Sequence, residues 1–418
     1  MAAEENKRLS TEPYKGVRDF YPEEQAFLTY FFTTCRRVLE RAGYVEYGAS
    51  ILEPAELYRA KGAENEEIVS EQTYTFTDRG GREVTLRPEM TPTVARMVAA
   101  KRREMGYPLR LFSLPNVFRY ERPQRGRLRE HFQLNVDLFG SDSPHADAEI
   151  IGIAYGIMKA LGATDSQFQI HIGSRKSLDE FAKRKGFSEK AYKDFLALLD
   201  RAKKMSNEEF EGQLNECGVD ASDFRHSPPE EIKKMISEFA DAGIRNLIWD
   251  IGIVRGFAYY TGMVFEVFDT HSANNRSLFG GGRYDNLTKL FDTEPLPGVG
   301  FGMGDVTLRD FLETHGLLPK YRPATDLYIA IPSEGLALSA QTFAGELRER
   351  GVNVAVDFGE KKLADQIRTA AKHQIPYLIV LGEDELASGR VRLRDLASGE
   401  ERELVREEVA GALGKSPA

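Results

Sequence analysis

Between Phe118 and Glu130 the chain reads Phe-Arg-Tyr-Glu-Arg-Pro-Gln-Arg-Gly-Arg-Leu-Arg-Glu. Residues 119–130 hold five Arg and two Glu, a local charge of +3 in a chain whose formal net charge is −9. Proline and glycine mark a loop. Guanidinium groups grip phosphate oxygens in pairs of hydrogen bonds and stay charged at every physiological pH. Such a loop is either a solvated charged turn or a phosphate-binding device, and the spacing alone leaves both open. Three further segments group residues with chemical potential: Leu86-Arg87-Pro88-Glu89-Met90-Thr91, Val254-Arg255-Gly256-Phe257-Ala258-Tyr259-Tyr260-Thr261-Gly262, and Ser277-Leu278-Phe279-Gly280-Gly281-Gly282-Arg283-Tyr284-Asp285. Taken singly, Arg255 suits a structural ion pair as well as a site. Each tyrosine suits a core position with a satisfied hydroxyl. The glycine run is a turn or a place where a ligand approaches the backbone.

The elements that must position these residues follow from periodicity. Apolar residues recur at helical spacing from Glu23 to Arg41, with Gly43 as a stop. A strand through Tyr44–Leu52 ends at Pro54, and Thr73–Thr77 with Glu83–Leu86 flank Asp78-Arg79-Gly80-Gly81 as a hairpin. Leu109–Arg119 and Gln133–Phe139 read as strands on either side of the arginine loop, Ala146–Leu161 as a helix and Gln167–Ile172 as a strand. From Ser174 to Gly243 the chain is rich in Lys, Glu and Asp with helical periodicity, an insertion over 174–243. Strands return at Ile248–Val254, Val264–Val267 and Val299–Met303, before a helix from Asp305 to His315. Leu318–Thr325 reads as a linker, and beyond it strands and helices alternate, which predicts a parallel sheet. The expected architecture is α+β: a mostly antiparallel domain over 1–173 and 244–320, the insertion, and a C-terminal α/β domain over 325–418.

Composition narrows the class. The 418 residues are 41% hydrophobic and 29% charged, an ordinary globular balance rather than a disordered one. The acidic total excludes a basic nucleic-acid coat while allowing a local basic patch. Cys35 and Cys217 are far apart and form no C-x-x-C pair, so neither a disulfide framework nor a thiolate zinc site is expected. No apolar core opens the N-terminus and no run of about 18 apolar residues occurs, so no membrane partner and a cytoplasmic location are expected.

Phe-Arg-x-Glu-Arg-Pro-Gln-x-Gly-Arg closely resembles motif 2 of the class II aminoacyl-tRNA synthetases, in the form found in histidyl-tRNA synthetases. The segment around Arg255 and Tyr259-Tyr260 resembles that family's histidine-specific "RGLDYYTG" element, and the Gly280–Asp285 stretch its second specific element. Leu86–Thr91 resembles its substrate-binding "LRPE-x-T" stretch. The resemblance spans about residues 14–410. It implies a class II antiparallel catalytic domain with a helical insertion and a C-terminal anticodon-binding domain. It also implies activation of L-histidine by ATP to histidyl-adenylate, and transfer to tRNA(His). The catalytic residues would be Arg119 and Arg255. Histidine would be bound by Glu89, Thr91, Gln133, Asp137, Tyr259, Tyr260 and Tyr284, and ATP, with Mg²⁺, by Arg119, Glu121 and Arg127. Arg122, Gln124 and Arg129 would face the tRNA acceptor end, with Lys183, Arg184, Lys185, Lys203 and Lys204 of the insertion as candidates for its stem. No protein-held metal is implied. Tyr14–Pro54 resembles motif 1, which implies a homodimer.

The sequence departs from the family at three points. Motif 3 usually reads Gly-x-Gly-x-Glu-Arg, its arginine holding ATP; Val306 and Thr307 stand where Glu-Arg would fall. Arg309, two residues on, lies about 200° around a helix and is no simple substitute. Ala258 replaces an Asp, and Asp137 a Glu. Two functions therefore remain open: a histidine–tRNA ligase with a rearranged ATP site, or a non-catalytic paralogue that binds histidine or tRNA and regulates a partner enzyme.

Overall fold

The computed structural model describes residues 9–60, 72–201, 205–220, 228–253, 259–274 and 276–415. Its contacts divide the chain into two units, Met1–Pro319 and Lys320–Ala418. Strands of the first unit are β1 (Val45–Glu46), β2 (Leu52–Pro54), β3 (Tyr74–Thr77), β4 (Glu83–Leu86), β5 (Leu109–Ser113), β6 (Asn116–Phe118), β7 (Glu130–Phe139), β8 (Phe168–Ser174), β9 (Leu247–Trp249), β10 (Met263–Asp269), β11 (Ser277–Arg283) and β12 (Gly298–Gly304). Among the described residues nine of them form one sheet in the order β1-β5-β7-β12-β11-β10-β8-β9, with β6 paired to β7. The pairs from β5 through β8 are antiparallel, and only β1–β5 and β8–β9 at the ends are parallel. The expected α+β, antiparallel-rich architecture is the one observed.

Helices cover one face of this sheet. Helix Pro22–Arg41 opens on a proline, whose missing N–H is harmless in a first turn, and buries Phe27, Phe31, Cys35 and Leu39 at four-residue spacing. Together with helices Pro144–Ala160, Glu230–Asp241 and Asp305–Thr314 it meets Leu134, Val136 and Leu138 of β7 in the main core. Side chains alternate across a strand, so His131, Gln133, Asn135 and Asp137 take the opposite face of β7. Helix Thr91–Ala100 packs Val94, Ala95 and Val98 over part of that face beside Phe139, and its open remainder carries the site.

Two expectations shift in detail. The strand read as Leu109–Arg119 breaks into β5 and β6 around Leu114-Pro115, because proline has no N–H for the ladder. Pro115 instead gives its carbonyl to the Gln133 N–H. Across 174–243, helices Arg175–Lys185, Glu189–Arg201 and Asn207–Glu216 share a small core of Leu178, Phe181, Phe195, Leu198, Leu199 and Leu214. Ile232 and Met235 of the last helix belong to the main core instead. Lys203 and Lys204 lie outside the described residues.

The second unit holds β13 (Leu327–Ala330), β14 (Val354–Val356), β15 (Tyr377–Val380), β16 (Arg390–Asp395) and β17 (Glu401–Val405), ordered β14-β13-β15-β16-β17. The first three are parallel, as expected, but β16 and β17 add an antiparallel hairpin, so the sheet is mixed. Its strand β16, Arg-Val-Arg-Leu-Arg-Asp, buries Val391 and Leu393 alternately with arginines, a two-residue period masked by charge. No described helix is long and apolar enough to cross a membrane.

Candidate active site

The floor of the site is the main chain of β12, where Gly300 and Gly302 line the cleft, backed by the glycines of β11. Across β11 and β12 the register pairs Gly280 with Gly302, Gly281 with Phe301, and Gly282 with Gly300. The Gly280-Gly281-Gly282 run is thus strand, not turn. A Cβ on Gly300 would stand 2.8 Å from the Tyr284 hydroxyl and 2.9 Å from Asp137 Oδ1, and one on Gly302 2.6 Å from Gln133 Nε2. Neighbouring polar side chains, and the Val136 carbonyl that a Cβ on Gly300 would strike first, occupy the space these glycines leave empty. Above the floor opens a cleft of about 280 Å³, lined among others by Glu89, Thr91, Arg119, Glu121, Arg127, Gln133, Tyr259, Tyr260 and Tyr284. Segments distant in sequence converge here.

One end is a buried carboxylate–tyrosine pocket. Tyr259 donates its hydroxyl to Glu89 Oε2 at 3.0 Å, and Tyr284 donates to Asp137 Oδ1. Tyr259 packs on Tyr260 and Tyr284 with ring centroids 5.0 and 6.0 Å apart. Burial pushes the Glu89 carboxyl up to about 7, against the opposing pull of Arg119 and the Tyr259 hydrogen bond. Burial likewise raises Asp137 to about 7, opposed by hydrogen bonds from Tyr284 and Asn135. Asp137 Oδ2 is buried without a hydrogen-bond partner, an acceptor still to be satisfied. Gln133 Nε2 donates to Asn135, which fixes its amide beside the pocket. Thr91 begins helix Thr91–Ala100, directly after Glu89-Met90. Arg87 is spent on structure, donating to the carbonyls of Ala49 and Asn116.

The other end is cationic. Arg119 anchors its Nε on the Pro88 carbonyl at 3.0 Å, which turns the guanidinium toward the cleft it lines. Arg127 Nη1 stands 3.2 Å from Glu121 Oε2. That oxygen is buried and makes no hydrogen bond; a hard carboxylate oxygen of this kind suits Mg²⁺ carried by substrate phosphates. His131 also lines the cleft. Burial, Arg119 and Arg18 lower its imidazole to about 3, so it is neutral. Its signal was in the sequence: His131, Gln133 and Asp137 fall at even spacing on one strand.

The remaining residues divide. Arg255 and Ala258 lie outside the described residues. Arg122 and Gln124 are exposed on the loop, where Gln124 and Arg127 exchange backbone hydrogen bonds around Gly126, at φ 76°. Arg129, expected at the surface facing RNA, is buried instead. It donates to the Glu121 carbonyl and the Tyr14 hydroxyl and stacks 4.0 Å from the Tyr120 ring centre, so its donors are used inside the protein. At the motif 3 position the Thr307 hydroxyl donates to the Leu278 carbonyl at 2.6 Å. Arg309 points elsewhere, pairing with Glu313 and lying over Phe27.

Comparison with known proteins agrees with this arrangement. The family model described as histidyl-tRNA synthetase matches residues 16–221 and 175–306, and that of an anticodon binding domain matches 326–416. A Leptospira biflexa protein named histidine–tRNA ligase is 40% identical over 415 residues, covering 94% of each chain. One of the same name from Thermoplasma volcanium is 36% identical, over 94% of this chain and 96% of its own. In fold, the crystal structure of histidyl-tRNA synthetase from Nostoc sp. PCC 7120 superposes with a TM-score of 0.83 at 24% identity, covering 97% of this chain and 99% of that one. With this sequence identity and these two model matches, the chain belongs to the histidyl-tRNA synthetase family.

Proposed function

We propose that this protein activates L-histidine with ATP and transfers it to tRNA(His). In the first step a histidine carboxylate oxygen attacks the α-phosphorus, forming the P–O bond of histidyl-adenylate as the bond to the β-phosphate breaks and pyrophosphate leaves. In the second, a ribose hydroxyl at the tRNA 3′ end attacks the acyl carbon and AMP leaves. The carboxylate nucleophile is already ionised, so the first step calls on alignment and on cations rather than on a general base.

The observation that carries this reading is the convergence of Arg119, Glu89 and Tyr284 in one cleft floored by Gly300 and Gly302, with Asp137 buried behind Tyr284. Arg119 bridges the histidine carboxylate and the α-phosphate. Arg255, by its family position, approaches from the other side. Glu89, with Thr91 and Gln133, accepts the α-ammonium. Asp137 and the three tyrosines enclose the imidazole, giving its N–H an acceptor and rejecting apolar rings that would leave a buried carboxylate unpaired. Arg127 holds phosphate oxygens, and Glu121 is the residue that would hold Mg²⁺, which neutralises phosphate charge when bound with ATP. Arg122 and Gln124 meet the acceptor end. A core of 1–173 and 244–320, an insertion over 174–243 and an anticodon-binding domain over 325–418 divide the work, in a homodimer.

Histidine-dependent exchange of label between pyrophosphate and ATP tests the reading. Exchange that requires histidine is expected. Its absence at saturating histidine would overturn adenylation and leave the regulatory paralogue.

A further inference from the structure

Beside the reaction cleft lies a second cavity of about 340 Å³. Gly126, Ser277, Leu278 and Thr307 border both, so the two spaces are immediate neighbours. Arg125 and Arg276 line the second one. We propose that this side cavity holds the β- and γ-phosphates of ATP, with Arg276 supplying the cation that the family's motif 3 arginine would otherwise provide. The proposal rests on the adenylation reading above.

Thr307 cannot do that work. Its hydroxyl is committed to the Leu278 carbonyl, and a threonine carries no charge. Arg309 is turned away to Glu313 and Phe27. Arg276 approaches the same space from the other wall, two residues before Leu278, at the start of β11. Residues 269–274, ahead of it in the chain, are firmly held. The Asp269 side chain is fully buried and accepts from the His271 N–H and Asn274 Nδ2, each at 2.7 Å, while His315 Nε2 lies 2.8 Å away. Asn274 also donates to Thr314. The ordering entropy of residues 269–274 is therefore met before a ligand arrives.

Arg276 is engaged only weakly. Nη2 reaches the neutral Gln124 Oε1 at 3.3 Å, a bond that a phosphate oxygen would outcompete. Arg125 is a lesser contributor, already sharing its guanidinium between Asn274 at 3.3 Å and Asp310 at 3.7 Å. Two guanidiniums against one carboxylate leave the cavity net positive. A triphosphate whose α-phosphate meets Arg119 would run its tail past Gly126 and Thr307 into this positive space.

The test compares binding of ATP and AMP, with Mg²⁺, to the full chain by calorimetry. Arg276→Ala is expected to weaken ATP by about tenfold or more and leave AMP unchanged, since AMP lacks the outer phosphates. Unchanged ATP affinity, or a parallel loss for both nucleotides, would overturn the assignment. Exchange activity of the unaltered chain is measured alongside. Its absence counts against adenylation, whereas the ATP–AMP contrast in the variant bears on Arg276 alone.

Discussion

Glu89 lines the cleft and Asp137 is buried behind Tyr284, each with its carboxyl group raised to about 7 by burial. In the unfolded chain they titrate near 4.5 and 3.8. The folded chain therefore binds more protons than the unfolded one between those values and 7, and this contribution to stability declines as pH rises through that window. Glu89→Gln removes the burden of a buried charge. It is expected to raise stability in urea at pH 8 by about 1–3 kcal/mol, with little gain at pH 5; a gain independent of pH would show that Glu89 is not the titrating group. The same variant should lose histidine affinity, because an amide oxygen accepts from an ammonium without the charge that strengthens the bond. In the unaltered protein, histidine binding below pH 7 draws Glu89 into its charged form, so protons are released; calorimetry at pH 6 in buffers of different ionisation enthalpy reads this directly. Arg119→Ala should lower exchange by about 10²–10³-fold, the scale of losing a donor aimed at developing charge, while circular dichroism stays unchanged. At this scale the sequence was highly legible for residue type and poorly so for environment. Arg119, Glu89 and Tyr259 stand out by motif. That Arg129 is buried under Tyr14 and Tyr120 depends on a contact across 115 positions that no local pattern announces.

Strands decide what the site can hold. In β7 one alternation supplies both the helix-facing core and the cleft wall; Gln133 and Asp137 stand out by resemblance, whereas His131, on the same two-residue period, belongs to no motif and passes unnoticed. The glycine pairs of β11 and β12 carry a sharper consequence. Gly302→Ala drives a methyl into the Gln133 amide alone, whereas a methyl on Gly300 would first strike the Val136 carbonyl of β7, so for Gly302→Ala the KM for histidine is expected to rise at least tenfold with the KM for ATP nearly constant. Equal changes in both would mean that the strand, not the pocket, had been disturbed. Elements hidden from the sequence were those whose polarity disguises them. The β16–β17 hairpin alternates arginine with Val391 and Leu393, so it shows no apolar run and does not read as strand from the sequence. Helix Thr91–Ala100 follows a proline-containing turn and has too short an apolar run to declare itself.

At the scale of the chain, each of the two units has its own apolar core. Removal of 320–418 is therefore expected to leave histidine-dependent exchange largely intact while cutting tRNA charging severely; parallel loss of the two would refute a separate role for the C-terminal unit. The boundary near 320 was legible because a proline-rich, charged stretch separates two patterns of different period. The limits of the insertion were less so, since Ile232 and Met235 lend its last helix to the main core. The main-chain floor of the cleft also sets the direction in which specificity can drift. A surface made of glycine is already at its lowest relief, and any mutation there can only add bulk. Admitting a larger amino acid must therefore begin with the tyrosine walls, by trimming the same hydroxyls that hold the acidic groups in place, so a broader appetite and a weaker grip would arrive in the same step.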